Sequence, residues 1–375
     1  MTSTSISGRL VLDDRVAPGR LWIDEGVITA VEVDVSDIAA DAPYIAPGFV
    51  DIHVHGWGGH DAMGDTAALD GMSRALLRRG VTSFLPTAVT APLGDLAAFA
   101  DRVRAWMPSA PADGAEPLGF NLEGPFLASA KRGAHAEAHL RAPASASRAD
   151  LDGLVEGLRL LTVAPELDGA TDLIGWLRGQ GVAVSVGHSA ADAEQVWNAY
   201  EVGARSTTHL FNAMTGVDHR SPGVAVAALL EDDAYVELIA DGVHVHPAIW
   251  PLITRLKPPD RLLLVSDALS VAGTADGRGR IGSLDIEVRD GRATLAGTDT
   301  LAGSVIALDS AVRNVTTAGI PLADAVAAAS RNPLELLGVT DRGRLAVGQR
   351  ADLVELVEDL SVRRVMRFGS WVESD

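Results

Sequence analysis

The chain has 375 residues, of which 47% are hydrophobic and 22% charged, and its formal net charge is −19. This composition is typical of a globular protein. The negative charge and the lack of basic runs interleaved with aromatics argue against a nucleic acid partner, because such proteins need positive charge to attract phosphates.

The absence of cysteine and the character of the N-terminus give further expectations. Without cysteine there are no disulfides and no thiolate ligands, so any metal must be bound by His, Asp or Glu. The first residues, MTSTSISGRLVLDDRV, lack the basic and apolar segments of a signal peptide. No segment reaches the roughly 18 uncharged apolar residues that a membrane span requires. We therefore expect a cytoplasmic protein with no membrane partner.

The two ends of the chain have the same β-type pattern. Short apolar-polar alternations fill residues 1–47, for example GRLVLDD and GRLWIDEGVITAVEV, and similar segments fill residues 343–375, with Gly343 and Gly348 at turn positions. Two unrelated β appendages are one interpretation. We favour a single small β-sandwich domain built from both chain ends, because similar elements tend to pack together.

Between these ends, residues 48–342 alternate apolar β-type runs with amphipathic helical stretches. The eight runs are GFVDIHVHG, VTSFLPTAV, LGFNLEGPF, LLTVAPEL, VAVSVGHSA, RSTTHLFNAM, YVELIADGVHV and RLLLVSDAL. Helices are predicted at 66–79, 93–106, 148–158, 171–179 and 190–202. Eight βα units predict an α/β fold, a (β/α)8 TIM-type barrel. A doubly wound open sheet is the alternative, but no glycine-rich nucleotide turn follows the first run.

An alanine-rich stretch follows the eight units. Residues 322–338, LADAVAAASRNPLELLG, predict a helix that closes the barrel and is broken at Asn332 and Pro333. We interpret it as scaffold.

Polar side chains occur where the predicted strands end, which is where a barrel of this kind places its active site. His53 and His55 are two residues apart on one strand and therefore share a face. Each such residue alone is more often a hydrogen-bonded buried group than a ligand, but many at one rim indicate a site. The strand-end residues are His53, His55, Glu123, His188, His209, Asn212, Asp241, His244 and Asp267.

These residue types favour a metal site. Imidazole and carboxylate suit a divalent metal, zinc first, with iron, manganese or cobalt as alternatives. Glu123 can bridge two cations, with His188 and His209 completing one site, and His53 and His55 forming a second with Glu123 or Asp267. A metal-bound water has its pKa lowered to roughly 7, which is the chemistry of hydrolysis.

Several motifs carry a family resemblance. The segment APGFVDIHVHG resembles the first barrel strand of the amidohydrolase superfamily. The motifs NLEGPFLASAKRGAH, VAPE, VGHSAA, TTHLFNAM, PGV, ADGVHVHP, VSDAL and LAGS are similar in order and spacing to the N-acetylglucosamine-6-phosphate deacetylase family. The resemblance runs from about Pro47 to Asp352. It is specific because LEGPF replaces the lysine that dihydroorotase-like and urease-like relatives carbamylate.

The resemblance implies a reaction and roles for individual residues. The reaction is hydrolysis of the acetamide of N-acetyl-D-glucosamine 6-phosphate to D-glucosamine 6-phosphate and acetate. Asp267 matches the catalytic aspartate, and His135 matches a residue near the amide carbonyl. The residues that match metal ligands are Glu123, His188 and His209. Some relatives lack the first histidine pair and hold one metal, whereas this chain keeps His53 and His55, so one or two metals are expected.

The resemblance also implies a site for a phosphorylated amino sugar. Arg220 and His244 match contacts on the phosphate side, and the LAGS segment, Leu301 to Ser304, is expected to close over the sugar. A homodimer is expected, with Arg220 or His244 reaching a neighbouring site. The full set of implied substrate-binding residues is Ala134, His135, Asn212, Ala213, Arg220, His244, Leu301, Ala302 and Gly303.

Two other hypotheses remain open from the sequence. The chain could be an amidohydrolase for a cyclic amide, a deaminase-type substrate or an N-acyl amino acid, for which Arg220 would matter little. It could also be a non-catalytic relative that uses the barrel for binding, although that hypothesis predicts a broken set of metal ligands. Fold alone does not decide between them.

Overall fold

The computed structural model of the chain describes residues 4–372. Its elements are numbered in chain order. The N-terminal part forms four strands whose side chains alternate between buried and exposed positions, as half-buried strands do. They are β1 (Thr4–Val11), β2 (Val16–Asp24), β3 (Val27–Val33) and β4 (Tyr44–Pro47).

The centre of the protein is a barrel of eight parallel strands, hydrogen-bonded in chain order. The strands are β5 (Phe49–Val54), β8 (Val81–Val89), β10 (Phe120–Glu123), β11 (Leu158–Val163), β12 (Ala183–Val186), β13 (Ser206–Thr207), β14 (Tyr235–Ile239) and β15 (Leu262–Val265). Short strands between them are β6 (Gly56–Trp57), β7 (His60–Asp61) and β9 (Glu116–Pro117). Just beyond the last strand, the backbone N–H of Asp267 donates to the carbonyl of His53 at 2.8 Å and brings the two ends of the sheet together. The predicted barrel is confirmed, and each of the eight predicted runs overlaps one of its strands.

Helices surround the barrel. The five predicted stretches each correspond to one helix, and the observed and predicted ends agree to within three residues. Two of them begin with capping boxes, in which Ser147 and Asp192 accept hydrogen bonds from the first helical turn. The helices are α1 (Thr66–Leu77), α2 (Leu93–Trp106), α3 (Arg148–Val155), α4 (Ala170–Gly179), α5 (Ala193–Val202), α6 (Val224–Leu230), α7 (Trp250–Leu256), α8 (Leu308–Thr317), α9 (Leu322–Ala328) and α10 (Arg331–Leu336).

The predicted break in the alanine-rich stretch is wrong in position. Residues Ala329 and Ser330 separate α9 from α10, whereas Asn332 and Pro333 lie inside the first turn of α10. A proline is tolerated there because its missing N–H would have no partner in the helix. The side-chain amide of Asn332 donates to the carbonyls of Pro259 and Leu262, which ties α10 to the start of β15.

A three-stranded antiparallel sheet that the sequence analysis did not predict lies between β15 and α8. We call it the rim sheet, residues 277–295, with strands β16 (Gly277–Ile281), β17 (Leu284–Arg289) and β18 (Arg292–Leu295). Asp290 and Gly291, both with positive φ, form the turn between its last two strands. An Asp-Gly pair between alternating segments is a hairpin signal. The rim sheet packs Ile281 and Ile286 against Val89 at the barrel mouth.

The C-terminal strands complete the N-terminal sheet. They are β19 (Leu353–Leu356), β20 (Val362–Arg367) and β21 (Ser370–Val372), and β19 pairs with β4. The resulting seven-stranded sheet has the order β21-β20-β19-β4-β1-β2-β3 and encloses a core shared by Leu10, Leu21, Ile28, Leu353 and Met366. The prediction of one small domain made from both chain ends is confirmed.

The predicted domain limits at 47/48 and 342/343 stay predictions, and residues 1–3 and 373–375 of the two end segments lie outside the described residues. Within residues 4–372, no helix combines the length and the apolar character needed to cross a bilayer.

Candidate metal centre

Six polar side chains from five strand ends meet at the mouth of the barrel. His53 lies in β5, and Glu123 is the last residue of β10. The other four follow the ends of β5, β12, β13 and β15 within a few residues. All six side chains are buried, with 6% or less of each residue exposed, and they are His53, His55, Glu123, His188, His209 and Asp267. The structure thus brings together the complete set of predicted metal ligands and the predicted catalytic aspartate.

The backbone at three of these residues is in the left-handed region. The φ angles are 48° at His188, 26° at His209 and 50° at Asp267. Positive φ is uncommon for residues other than glycine, and such strained positions cluster at functional sites. This conformation directly after a barrel strand therefore supports a functional role for the three side chains.

The carboxylate of Glu123 is the centre of the cluster. Its Oε1 atom lies 2.9 Å from Nε2 of His209 and 3.0 Å from Nε2 of His188, and these two nitrogens are 3.1 Å apart. We call these three side chains the first donor group. A tetrahedral zinc with bonds of 2.0–2.1 Å places its ligand atoms about 3.3 Å apart, so this spacing fits a metal ion.

The other oxygen of Glu123 faces His55. Oε2 lies 3.2 Å from Nε2 of His55, which in turn is 3.0 Å from Oδ1 of Asp267. Nε2 of His53 is 3.5 Å from Oε1 of Glu123 and 3.6 Å from Oδ1 of Asp267. His53, His55 and Asp267 form the second donor group, and with Glu123 their ligand atoms lie within 4.8 Å of one another.

Hydrogen bonds on the far side of the rings fix the histidine tautomers. Nδ1 of His188 lies 2.9 Å from the carbonyl of Lys131, and Nδ1 of His55 lies 3.1 Å from the carbonyl of Thr87. A carbonyl only accepts, so each Nδ1 carries a hydrogen and each Nε2 of a neutral ring keeps its lone pair. These Nε2 atoms face the oxygens of Glu123, an arrangement that is favourable only with a cation between them. Without a metal that cation is a proton on the ring: burial lowers the pKa of His55, but Asp267 and Glu123 raise it to about 9.

Unpartnered buried atoms also fit a metal. Nε2 of His53 and Nε2 of His55 are buried and have no hydrogen-bond partner among the described residues. Burying such an atom unpaired costs about 1–3 kcal/mol, and coordination removes this cost. The nitrogen and oxygen donor set, its spacing and its orphaned atoms therefore fit one or two divalent metal ions.

The electrostatics of the cluster keep its carboxylates ionised. Burial would raise the pKa of Glu123, but the charges of His53 and His135 hold it well below its usual range. Burial would likewise raise the pKa of Asp267, which the close approach of His55 and the charge of His53 lower. Burial lowers the pKa of His188 to about 4, so this imidazole is neutral, the form that binds a metal.

A cavity of about 330 Å³ opens above the two donor groups. Ile281 and Thr300 also line it, and neither was predicted. Ile281 belongs to the rim sheet, so the missed hairpin also forms part of the cavity wall. The predicted substrate residues that line the cavity are Ala134, His135, Asn212, Ala213, His244, Leu301 and Gly303.

Two predicted substrate residues do not line this cavity. Ala302 lies between Leu301 and Gly303, which do line the cavity, but it is fully buried itself. Arg220 is exposed in a turn where Asp218 accepts its backbone N–H, and it lies outside the cavity lining. A contact between Arg220 and a phosphate therefore stays a prediction.

Two histidines of the cavity are held by polar neighbours. Nδ1 of His135 lies 2.9 Å from Oγ1 of Thr90, while its Nε2 is 3.2 Å from Oε2 of Glu123. Nδ1 of His244 lies 2.7 Å from the carboxylate of Asp241. Asp241, one of the predicted strand-end residues, therefore orients His244.

Two buried carboxylates below the donor groups were missed from the sequence. Asp51 accepts hydrogen bonds from the backbone of His53 and Ser266, and burial raises its pKa to about 6. Glu237 is completely buried in the middle of β14. The available signal was a charged residue inside an apolar run, as in FVDIHV and YVELI.

Comparisons with known proteins agree with this site. The family model described as the amidohydrolase family matches residues 44–372. The chain is 39% identical over 366 residues to N-acetylgalactosamine-6-phosphate deacetylase of Escherichia coli O157:H7, covering 96% of this chain and 94% of that protein. It is 36% identical over 391 residues to N-acetylglucosamine-6-phosphate deacetylase of Danio rerio, and the match covers 98% of this chain and 96% of that protein.

A solved structure is similar over its whole length. The D267A mutant of N-acetyl-D-glucosamine-6-phosphate deacetylase from Mycobacterium smegmatis, in complex with N-acetyl-D-glucosamine-6-phosphate, has a TM-score of 0.92 and 37% identity, covering 100% of both chains. The chain belongs to the amidohydrolase family. These three relatives are all named as deacetylases of N-acetylated hexosamine 6-phosphates, so the resemblance predicted from the motifs is confirmed.

Replacing the central carboxylate tests the metal centre. Glu123→Gln keeps the shape of the side chain but removes the negative charge between the donor groups. Because even changes outside the ligand set cost roughly 10- to 100-fold in metal affinity, the metal content of the purified protein should fall by roughly tenfold or more. Elemental analysis after dialysis measures it.

Glu166→Gln is the matched control. Glu166 accepts hydrogen bonds from Ser189 and Ala190 next to His188 but belongs to neither donor group. This variant should keep its metal. Normal metal content in Glu123→Gln would exclude Glu123 as a shared ligand.

Proposed function

We propose that this chain is a metal-dependent deacetylase that hydrolyses the acetamide of N-acetyl-D-glucosamine 6-phosphate, giving D-glucosamine 6-phosphate and acetate. The observation that carries the proposal is the carboxylate of Glu123 between two groups of imidazoles at the floor of a cavity of about 330 Å³. The relatives named for this reaction support the choice of substrate.

The metal centre consists of the two donor groups. Glu123, His188 and His209 would hold one divalent ion, and His53 and His55 would hold a second together with Glu123 or Asp267. Zinc is our first choice, with iron, manganese or cobalt as alternatives, because the donors are imidazole and carboxylate without thiolate. Such a metal supplies Lewis acidity and an activated water.

Asp267 moves the proton. It lines the cavity, and its Oδ1 atom lies 3.0 Å from Nε2 of His55. An amide nitrogen is a poor leaving group until it is protonated. The carboxylate of Asp267 therefore accepts a proton from the attacking water and delivers it to the departing nitrogen.

His135 binds the amide carbonyl oxygen. Its ring is held at Nδ1 by Thr90, and the residue lines the cavity beside Glu123. A donor to the developing negative charge on this oxygen contributes roughly 3 kcal/mol to transition-state binding in comparable enzymes. We assign His135 this role.

The sugar and the phosphate occupy the outer part of the cavity. We assign Ala134, Asn212, Ala213 and the segment 301–303 to the sugar, and His244, oriented by Asp241, to the phosphate side.

We assign Arg220 to the phosphate of a neighbouring subunit in a homodimer, because it is exposed and outside the cavity of its own chain. Val217, in the same segment, is 67% exposed and provides apolar surface beside it. A guanidinium can bind a phosphate dianion with two hydrogen bonds, which suits this anchor.

The C4 epimer is a second candidate substrate. The relative from Escherichia coli O157:H7 is named for N-acetylgalactosamine 6-phosphate and is 39% identical to this chain. Another N-acyl or cyclic amide has no comparable support among the relatives described above. The cytoplasmic location and the absence of nucleic acid and membrane partners stay predictions.

Changing Asp267 to Asn tests its role in proton transfer. Asn has the same shape but cannot accept the proton, so kcat should fall by about 10²- to 10⁴-fold while the metal held by Glu123, His188 and His209 is retained. Acetate release and elemental analysis on the same sample measure both. Turnover like that of the wild type would contradict the assignment.

Changing Arg220 to Ala tests the phosphate contact. The KM for N-acetylglucosamine 6-phosphate should rise by roughly tenfold or more, because a hydrogen bond to a charged group contributes about 1.5–3 kcal/mol. The KM for unphosphorylated N-acetylglucosamine should not change. Arg78→Ala is the control, because Arg78 is an exposed arginine at the far end of α1. Equal effects of Arg220→Ala on both sugars would remove Arg220 from the phosphate site.

A further inference from the structure

We propose that Glu237 is a positioning residue that couples the two halves of the metal centre. The inference rests on the metal site of the proposed function and assigns a role to a side chain that lies below it. Glu237 is in the middle of β14 and is 0% exposed.

A single oxygen of Glu237 contacts both donor groups. Its Oε2 atom lies 3.0 Å from Nδ1 of His53, in the second donor group. The same oxygen accepts the backbone N–H of His209, in the first donor group, at 3.2 Å. Glu237 is therefore hydrogen-bonded to one proposed ligand of each metal.

The contact with His53 differs from those of the neighbouring histidines. Nδ1 of His55 and Nδ1 of His188 each face a neutral backbone carbonyl, whereas Nδ1 of His53 faces a carboxylate. A carboxylate partner keeps the hydrogen on Nδ1, leaves the lone pair on Nε2, and makes the ring a stronger donor to a cation.

The contact with His209 holds a strained backbone. His209 has a φ of 26°, and its Nδ1 atom is buried without a hydrogen-bond partner among the described residues. The ring of His209 thus has no hydrogen bond on its far side. The bond from its N–H to Glu237 is the polar contact that fixes the position of this ligand from below.

The negative charge of Glu237 is costly for the metal-free fold. Its Oε1 atom is buried without a hydrogen-bond partner in residues 4–372, and its only ion-pair partner there is His53. Burying an incompletely paired carboxylate is unfavourable. A neutral glutamine would satisfy the same two donors, so the charge adds little to the hydrogen bonding of the fold and acts chiefly on the cations above it.

The isosteric change Glu237→Gln separates this role from a merely structural one. The glutamine carbonyl keeps both hydrogen bonds, and its NH2 group takes the place of the unpartnered oxygen, so the charge is lost while one polar group stays unpaired as before. We expect the variant to bind Co²⁺ about 10- to 100-fold more weakly than the wild type, which is the usual range for such outer-shell changes. The melting temperature of the metal-free variant should be equal to or higher than that of the wild type.

The measurement is a titration of metal-free protein with Co²⁺, followed by visible absorption, together with thermal unfolding of the metal-free samples. Glu355→Gln is the matched control. Glu355 is also a buried carboxylate, but it lies in β19 of the small domain and pairs with Arg363 and Arg364 rather than with a residue of the donor groups. This control should bind Co²⁺ like the wild type.

Three results would overturn the inference. Co²⁺ affinity of Glu237→Gln within twofold of the wild type would show that the charge is not used. Weaker binding accompanied by a lower melting temperature of the metal-free variant would assign Glu237 a structural role. A wild type that binds no Co²⁺ would contradict the proposed function itself, and this inference with it.

Discussion

The carboxylate of Glu123 is the group on which the rest of the site depends. Each of its two oxygens lies about 3 Å from imidazole nitrogens, and the nitrogens of His188 and His209 are themselves 3.1 Å apart. Lone pairs directed at one another repel, so this arrangement is stable only around positive charge. The buried donor set therefore defines the chemistry, and the cavity above it defines what reaches that chemistry.

The barrel makes this convergence possible. Parallel strands end at the same rim, so residues far apart in the chain, from His53 to Asp267, meet there. The left-handed backbone at His188, His209 and Asp267 is an energetic cost of about 1–3 kcal/mol each, which the packed barrel can sustain. Glu237 in the layer below is hydrogen-bonded to His53 and to the backbone of His209.

Much of this architecture could be predicted from the sequence because it depends on local patterns. Apolar runs identified all eight barrel strands, and histidines at strand ends identified the side chains that meet at the barrel mouth. The rim sheet was missed, although its Asp290-Gly291 turn is a local signal, because it follows the last of the eight βα units and is not part of the repeating pattern. The break between α9 and α10 was misplaced because Pro333 fits within a first helical turn.

Other features depend on three-dimensional contacts that no local pattern encodes. The sequence YVELI does not say that Glu237 points at His53, which is 184 residues away along the chain. Ile281 reaches the cavity only through the packing of the rim sheet on Val89. Arg220, in turn, is specified by its motif but lies outside the cavity of its own chain.

The most direct measurement of the central claim is acetate release from N-acetyl-D-glucosamine 6-phosphate by one preparation in three states. These are the protein as purified, the protein stripped by a chelator, and the stripped protein reloaded with Zn²⁺. The account predicts that stripping abolishes acetate release and that reloading restores it in proportion to the metal bound. Equal rates with and without metal, or no acetate release in any state, would contradict it.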